Sequence, residues 1–376
     1  MTIDSSNTSH SRPDWSGLAR DQIKGITPYV PGKPISEVKR EYGLEEVIKM
    51  ASNENPLGAS PKARQAIEEE LDRVHLYPDG ASRSLVEKVS QELEVEQDML
   101  TFGNGSDGLL KVIAEAFLDP ESRVVISHPT FVEYNFVSQL MGCQVARVWM
   151  SNYRHNLQGM LEAITPDTRM VFLPNPDNPA GTIVTRPELT DFLDQLPPEV
   201  IVVLDQAYQE YVEAPDYPDG IDYVKQGYPV ITLRTFSKIY GLAGLRLGYA
   251  ISTPGVKEIL MKARDPFNVN RLAEKAGRAA LDDRQHLEQS LKNNRLGKEY
   301  LYGELDRLGL DYVPTETNFI LVNVQRDSEE LFEEMLKQGV IIRPGKPLGY
   351  EGHIRVTIGT PRENREFIRV LELTLD

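Results

Sequence analysis

Lys238 stands in the run Thr235-Phe236-Ser237-Lys238-Ile239-Tyr240-Gly241-Leu242-Ala243-Gly244-Leu245-Arg246, directly after the apolar stretch Pro229-Val230-Ile231-Thr232-Leu233. Such a stretch reads as a buried strand, so the lysine emerges at a strand end, where ligands gather in α/β sheets. A lysine there can form a Schiff base with an aldehyde. Ser237 and Arg246 can both reach a phosphate on the same molecule, the arginine with forked donors that match phosphate oxygens. Aldehyde and phosphate together suggest pyridoxal phosphate. The competing reading, true of most lysines, is a solvated surface residue.

Other residues bear on the same choice. Gly103-Asn104-Gly105-Ser106-Asp107-Gly108 lies between a strand-like run at 99–102 and a helical run at 109–118. Its glycines permit a tight turn, Ser106 or Asp107 is expected to cap the helix, and free backbone donors at a helix start attract phosphate. It lacks the third glycine of a dinucleotide fingerprint. Leu204-Asp205-Gln206-Ala207-Tyr208 ends the most apolar run of the chain. A carboxylate there is costly to desolvate unless a cation faces it, and a pyridinium nitrogen is such a partner. Asp205 would keep that nitrogen protonated, and Tyr208 could donate to the ring's phenolate oxygen. The plainer alternative is a strand-end aspartate capping the next turn. Asn175-Pro176-Asp177-Asn178-Pro179-Ala180-Gly181-Thr182 makes a rigid loop in which Asn178 can aim an amide at the same oxygen, or simply a turn. Tyr77-Pro78-Asp79-Gly80 reads as a loop or plain β-turn.

These residues need elements to hold them. Apolar runs at 123–126, 170–173, 200–204 and 245–251 alternate with helical patterns, which predicts a largely parallel sheet covered on both sides. Beyond Pro254 charged helical stretches follow, notably 285–308, then strand-like runs at 319–324, 340–342 and 354–358 and a closing helix at 362–373. The expected division is a polar tail at 1–17, an arm at 18–45 that joins the small domain, a large domain at 46–261 and a small domain at 262–376. A chain of 376 residues suits two domains, and its net charge of -16 disfavours nucleic acid as a partner. Cys143 is the only cysteine, so no intrachain disulfide can form. The six histidines show no paired spacing for a metal, and none is expected. No apolar run has membrane-spanning length and the first residues lack a secretory pattern, which makes a cytoplasmic protein the expectation.

Taken together, the lysine run, the Asn-Pro loop and the Asp-X-Ala-Tyr strand end resemble the fold-type I pyridoxal-phosphate aminotransferases, from about residue 18 onward. Within that family, Gly25-Ile26-Thr27-Pro28-Tyr29-Val30-Pro31-Gly32-Lys33-Pro34, Ala51-Ser52-Asn53-Glu54-Asn55-Pro56, Asp265-Pro266-Phe267-Asn268-Val269-Asn270 and His353-Ile354-Arg355-Val356-Thr357-Ile358-Gly359-Thr360 resemble the branch acting on histidinol phosphate. The resemblance implies an α/β fold: a mostly parallel seven-stranded sheet between helices, plus a smaller α/β domain. It implies Lys238 as the Schiff-base lysine and proton carrier, Asp205 on the pyridine nitrogen, and Asn178 and Tyr208 on the phenolate oxygen. Gly105, Ser106, Asp107, Ser237 and Arg246 would line the phosphate pocket, and Phe131 would stack on the ring. Tyr77 would reach the cofactor of a neighbouring subunit, making a homodimer with shared sites. Tyr29, Asn53, Tyr134, Arg343 and Arg355 would contact substrate, with Arg355 on the carboxylate of glutamate. The implied reaction joins histidinol phosphate and 2-oxoglutarate, with aromatic amino acids as the alternative donors. Less favoured are a phospho-amino-acid decarboxylase and the effector domain of a transcription regulator. The chain departs from the family pattern at Gly108, Gln206, Asp177 and Ala180, and the run 343–349 is less typical.

Overall fold

The computed structural model describes residues 15–28 and 32–375. After β1 (Ile48–Lys49) come the strands of the central sheet: β2 (Leu100–Asn104), β3 (Arg123–His128), β4 (Gln144–Trp149), β5 (Thr168–Pro174), β6 (Ile201–Asp205), β7 (Val230–Thr235) and β8 (Leu247–Ile251). Their order is β2-β8-β7-β6-β5-β3-β4. Only β8 runs against its neighbours. The seven-stranded, mostly parallel sheet expected from the sequence is therefore present.

Successive residues of these strands feed two cores. Val125, Val171, Leu173, Val202 and Leu204 pack with Leu85, Phe192 and Ala273 on one face. Val124, Met170, Phe172, Val203 and Ile231 pack with Leu109, Val137 and Leu260 on the other. Side chains alternate across a strand, so a run apolar at every position is what a sheet covered on both faces requires. The ends of β3, β5, β6 and β7 then deliver their following loops to a single edge of the sheet.

The second unit is an antiparallel sheet of β9 (Tyr312–Val313), β10 (Phe319–Asn323), β12 (Arg343–Pro344) and β13 (His353–Thr357), in the order β12-β13-β10-β9. The short β11 (Val340–Ile341) pairs in parallel with β1. Helices Arg284–Arg307, Ser328–Lys337 and Pro361–Leu375 cover this sheet around Leu301, Ile320, Leu331, Val356 and Phe367.

Several details differ from the sequence expectation. Ile48 and Lys49, expected in the large domain, pair with Val340 and Ile341, and Met50 lies in the core of the C-terminal unit. Helix Arg271–Leu281, expected in the small domain, buries Ala273, Ala276 and Ala280 in a core of the central sheet. Trp15–Leu18 form a helical turn where the tail was expected, and Arg20 donates to the Leu140 carbonyl of the large unit. β8 starts at Leu247 rather than 245, because Arg246 takes a left-handed conformation with φ 56°. β4 was not foreseen, because an edge strand keeps polar residues such as Gln144 and Arg147.

Candidate active site

The converging loops and the inner face of the second sheet enclose a pocket lined by Ser106, Asp107, Phe131, Asn178, Asp205, Tyr208, Ser237, Lys238, Arg246, Arg343 and Arg355, among others. Asn53 and Tyr134 also line it. Tyr29 lies outside the described residues. Tyr77 is not among the lining residues; it is 79% exposed, its ring stacked on Phe267 at 4.8 Å.

One end of the pocket is built for an anion. Helix Gly105–Phe117 begins here, and its N-cap is Asn104, not Ser106 or Asp107 as expected. The turn is made one step earlier because Gly105 adopts φ 75°, which leaves Ser106 and Asp107 inside the first helical turn. Asn104 makes no side-chain cap bond, so the first amides keep their donors for another partner. Arg246 reaches over this start, bonded to Asp107 at 2.9 Å and Ser237 Oγ at 3.4 Å. A Cβ at Gly105 would lie 2.6 Å from Arg246 Nη2 and would displace that guanidinium, while the φ of 75° is what favours glycine in the turn.

The opposite end is built for a cationic N–H. Asp205 closes β6, buried, and its oxygens accept from the Tyr134 hydroxyl at 2.9 Å and the Ala207 amide at 3.1 Å. Burial pushes its carboxyl up to about 6, against the pull of those hydrogen bonds and of Lys238. Tyr134, expected at the substrate, is itself buried between Phe172 and Phe131 and serves the aspartate.

Between the ends lie Lys238, its Nζ 5.4 Å from the Tyr208 ring centroid, and the hydroxyl and amide groups of Tyr208 and Asn178. Asn178 Oδ1 accepts from Arg355 Nη1 at 2.5 Å, which turns the amide NH2 of Asn178 the other way. Arg355 also donates to the Ala51 carbonyl at 2.9 Å and lies over Phe319. Arg343 sits directly opposite Arg355 across the β12–β13 pair, so both side chains rise from one face of the sheet.

Beneath the Asn178 loop lies a polar pair that sequence reasoning noted only as a departure. Asp177 is fully buried, and accepts from Thr130 Oγ1 and the Ala180 amide, each at 3.0 Å. His155 Nε2 stands 3.9 Å from it. Burial pushes the Asp177 carboxyl up and the His155 ring down. His155 Nε2 faces the Pro174 carbonyl, which can only accept, so the neutral ring takes a hydrogen bond from Ser127 at Nδ1. Sequence reasoning gave neither Thr130 nor Thr357 a role at the site. Thr357 was within reach of the sequence, since it falls two residues beyond Arg355 on a strand and therefore on the same face.

These groups fit pyridoxal phosphate. Asp205 is a buried carboxylate short of a cation, and the helix start with Arg246 and Ser237 has the donors that a phosphate would need. Lys238 stands between them, beside two donors suited to a ring oxygen.

Residues 45–371 match the family described as aminotransferase class I and II. The chain is 53% identical over 353 residues to histidinol-phosphate aminotransferase of Moorella thermoacetica, spanning 94% of this chain and 92% of that one. It is 44% identical over 358 residues to histidinol-phosphate aminotransferase of Caldicellulosiruptor saccharolyticus, spanning 95% and 100%. Among solved structures it is similar to histidinol-phosphate aminotransferase from Sinorhizobium meliloti in complex with pyridoxal-5'-phosphate. The TM-score is 0.87 and the identity 28%, over 94% of this chain and 96% of that one.

Proposed function

The chain belongs to the class I and II aminotransferases, and from that premise we propose that it moves the amino group of L-histidinol phosphate to 2-oxoglutarate with pyridoxal phosphate as cofactor. The naming of relatives 53% and 44% identical over nearly the whole chain supports this donor. The observation that carries it is the pair Arg343 and Arg355, placed opposite one another on one sheet face above the pocket. Histidinol phosphate has no carboxylate and 2-oxoglutarate has no phosphate. Two guanidinium groups side by side give both anions a forked partner in turn.

When bound, the cofactor supplies a carbonyl carbon that takes up an amino group and a ring that withdraws electrons from it. Lys238 would hold that carbon through its Nζ, and the same amine, once freed, would be the base placed to take the proton from the substrate Cα. Asp205 would keep the ring nitrogen protonated. Tyr208 and Asn178 would donate to the ring oxygen, Phe131 would cover one ring face, and the helix start with Ser106, Asp107, Ser237 and Arg246 would seat the phosphate. A second copy of the chain completes the site in this reading. Leu71, Val74, Leu76 and Tyr77 form an exposed apolar strip, and Tyr77 would extend from it into the phosphate seat of the other copy. The cytoplasmic location expected from the sequence remains part of the proposal.

Separate half-reactions test the donor. Purified enzyme is mixed with histidinol phosphate, phenylalanine or tyrosine, and with its amino form and 2-oxoglutarate, while the visible absorption is followed. Arg355→Leu should slow both half-reactions, whereas Arg343→Leu should harm the histidinol phosphate side more, by roughly ten-fold to a hundred-fold for one charge-assisted contact. A wild type that prefers phenylalanine or tyrosine, with a preference unchanged by Arg343→Leu, would replace this reading with an aromatic amino acid donor.

A further inference from the structure

Tyr208 is 4% exposed, and its phenol oxygen lies 2.9 Å from Asn53 Nδ2. Asn53 is 1% exposed and takes a left-handed conformation, φ 54°, in the segment between β1 and helix Pro61–Glu70. Its backbone N–H donates to Thr357 Oγ1 at 2.9 Å, and Thr357 Oγ1 faces Asn53 Oδ1 at 3.3 Å. Asn318 Nδ2 donates to the Asn53 carbonyl at 3.0 Å. Two side chains of the second sheet and its flank thus hold this asparagine by its backbone and its amide.

The direction of each proton follows. A threonine hydroxyl has one proton to give, and Asn53 Oδ1 is the acceptor that Thr357 meets among the described residues. That sets the amide oxygen towards Thr357 and the NH2 towards Tyr208. A reversed amide would put an N–H against Thr357 and leave the hydroxyl proton without that acceptor. With an N–H pointing at it, the phenol oxygen accepts, and its own proton must go elsewhere. The open side of Tyr208 is the pocket, where Lys238 Nζ lies 5.4 Å from its ring.

We propose that Asn53 and Thr357 are positioning residues that occupy the acceptor side of Tyr208, so that its hydroxyl proton is delivered to the ring oxygen of the cofactor. Thr357 belongs to β13 of the second unit and Tyr208 to the central one, so the setting exists only while the two units are docked. Asn53 acts here on Tyr208 rather than on substrate, where the sequence resemblance put it. The inference rests on the pyridoxal-phosphate reading of the pocket.

The test is the pH at which the visible absorption of the holoenzyme changes. A proton given to the ring oxygen favours the deprotonated form of the bound chromophore, so diverting it raises that midpoint. Tyr208→Phe should raise it by about one pH unit or more, the worth of one hydrogen bond to a charged group. Asn53→Asp replaces the donor with an acceptor and should raise it too. The charge of the new carboxylate is separated by repeating Asn53→Asp in the Tyr208→Phe background, where the shift should be smaller by about one unit. Thr357→Val should raise the midpoint, and Thr357→Ser should leave it at the wild-type value. Asp107, Asp205, Lys238, Arg246, Arg343 and Arg355, the charged groups lining the pocket, are the same in every variant. An Asn53→Asp shift of equal size in both backgrounds, or equal midpoints for Thr357→Val and Thr357→Ser, overturns the proposal. A wild type that forms no visible band with pyridoxal phosphate overturns the cofactor reading and the inference with it. If Asn53→Asp forms no band, the two threonine variants decide.

Discussion

Asp205 joins burial to chemistry in one residue. Its carboxyl is raised to about 6 by burial, so the folded chain without cofactor holds a proton that the unfolded chain has released by that pH. The folded state binds more protons across the window from about 4 to 6, so stability falls as pH rises through it and the deficit persists above. Two pH units correspond to roughly 3 kcal/mol. Asp205→Asn, freed of cofactor, should therefore resist urea better than the wild type at pH 7.5 and equally at pH 4. With pyridoxal phosphate bound the order should reverse, because a pyridinium partner turns the buried charge from a liability into a contact. Equal unfolding midpoints for the two proteins at pH 7.5 without cofactor would contradict the desolvated carboxylate. The aspartate was legible in the sequence because a lone acidic residue ends an apolar strand. Its true neighbour, Tyr134, was legible only as an aromatic near Phe131, since nothing local says which of two aromatics three residues apart meets β6.

At the scale of elements, the proposed phosphate seat depends on how closely β8 passes under the helix start. A Cβ at Gly248 would lie 2.7 Å from both Gly105 C and Ser106 N, which are backbone atoms and cannot rotate away. Gly248→Ala should push the strand from the helix, costing about 1–3 kcal/mol of stability and weakening cofactor binding at least ten-fold. Gly244→Ala, whose Cβ would meet nothing within 4 Å, is the control and should leave both unchanged. Equilibrium dialysis with thermal melts reads both effects. The sequence showed a glycine-rich turn at this place but misjudged its cap, because a left-handed glycine can start a helix a few residues before the apolar periodicity becomes visible.

For the whole molecule, the shared-site proposal predicts complementation between copies. A Lys238→Ala chain lacks the covalent anchor, and a Tyr77→Ala chain lacks the group proposed to cross to the partner. Mixed, unfolded and refolded together, half of the dimers should be hybrids, and each hybrid should hold one site with both residues intact. Activity should rise above that of either parent, to about a quarter of the wild type for random pairing. No gain on mixing, with dimers present by light scattering, would mean that Tyr77 acts within its own subunit or not at all.

Sequence alone determined the parts of this protein whose signal is local. Strands apolar at every position required a sheet covered on both sides, and Lys238, Asp205, Asn178 and Arg246 could be read because each follows, ends or directly precedes such a run. Only the tertiary structure decided what these side chains do to one another. That Arg343 faces Arg355 depends on the register of β12 against β13, and that Thr357 meets Asn53 depends on contacts 304 residues apart in the chain. Composition and periodicity carry no information about such pairings, because they arise from the docking of two sheets rather than from any one segment. The same reason moved β1 to the C-terminal unit and helix Arg271–Leu281 to the central one: short or amphipathic elements take the partner that covers their apolar face, wherever it lies in the chain.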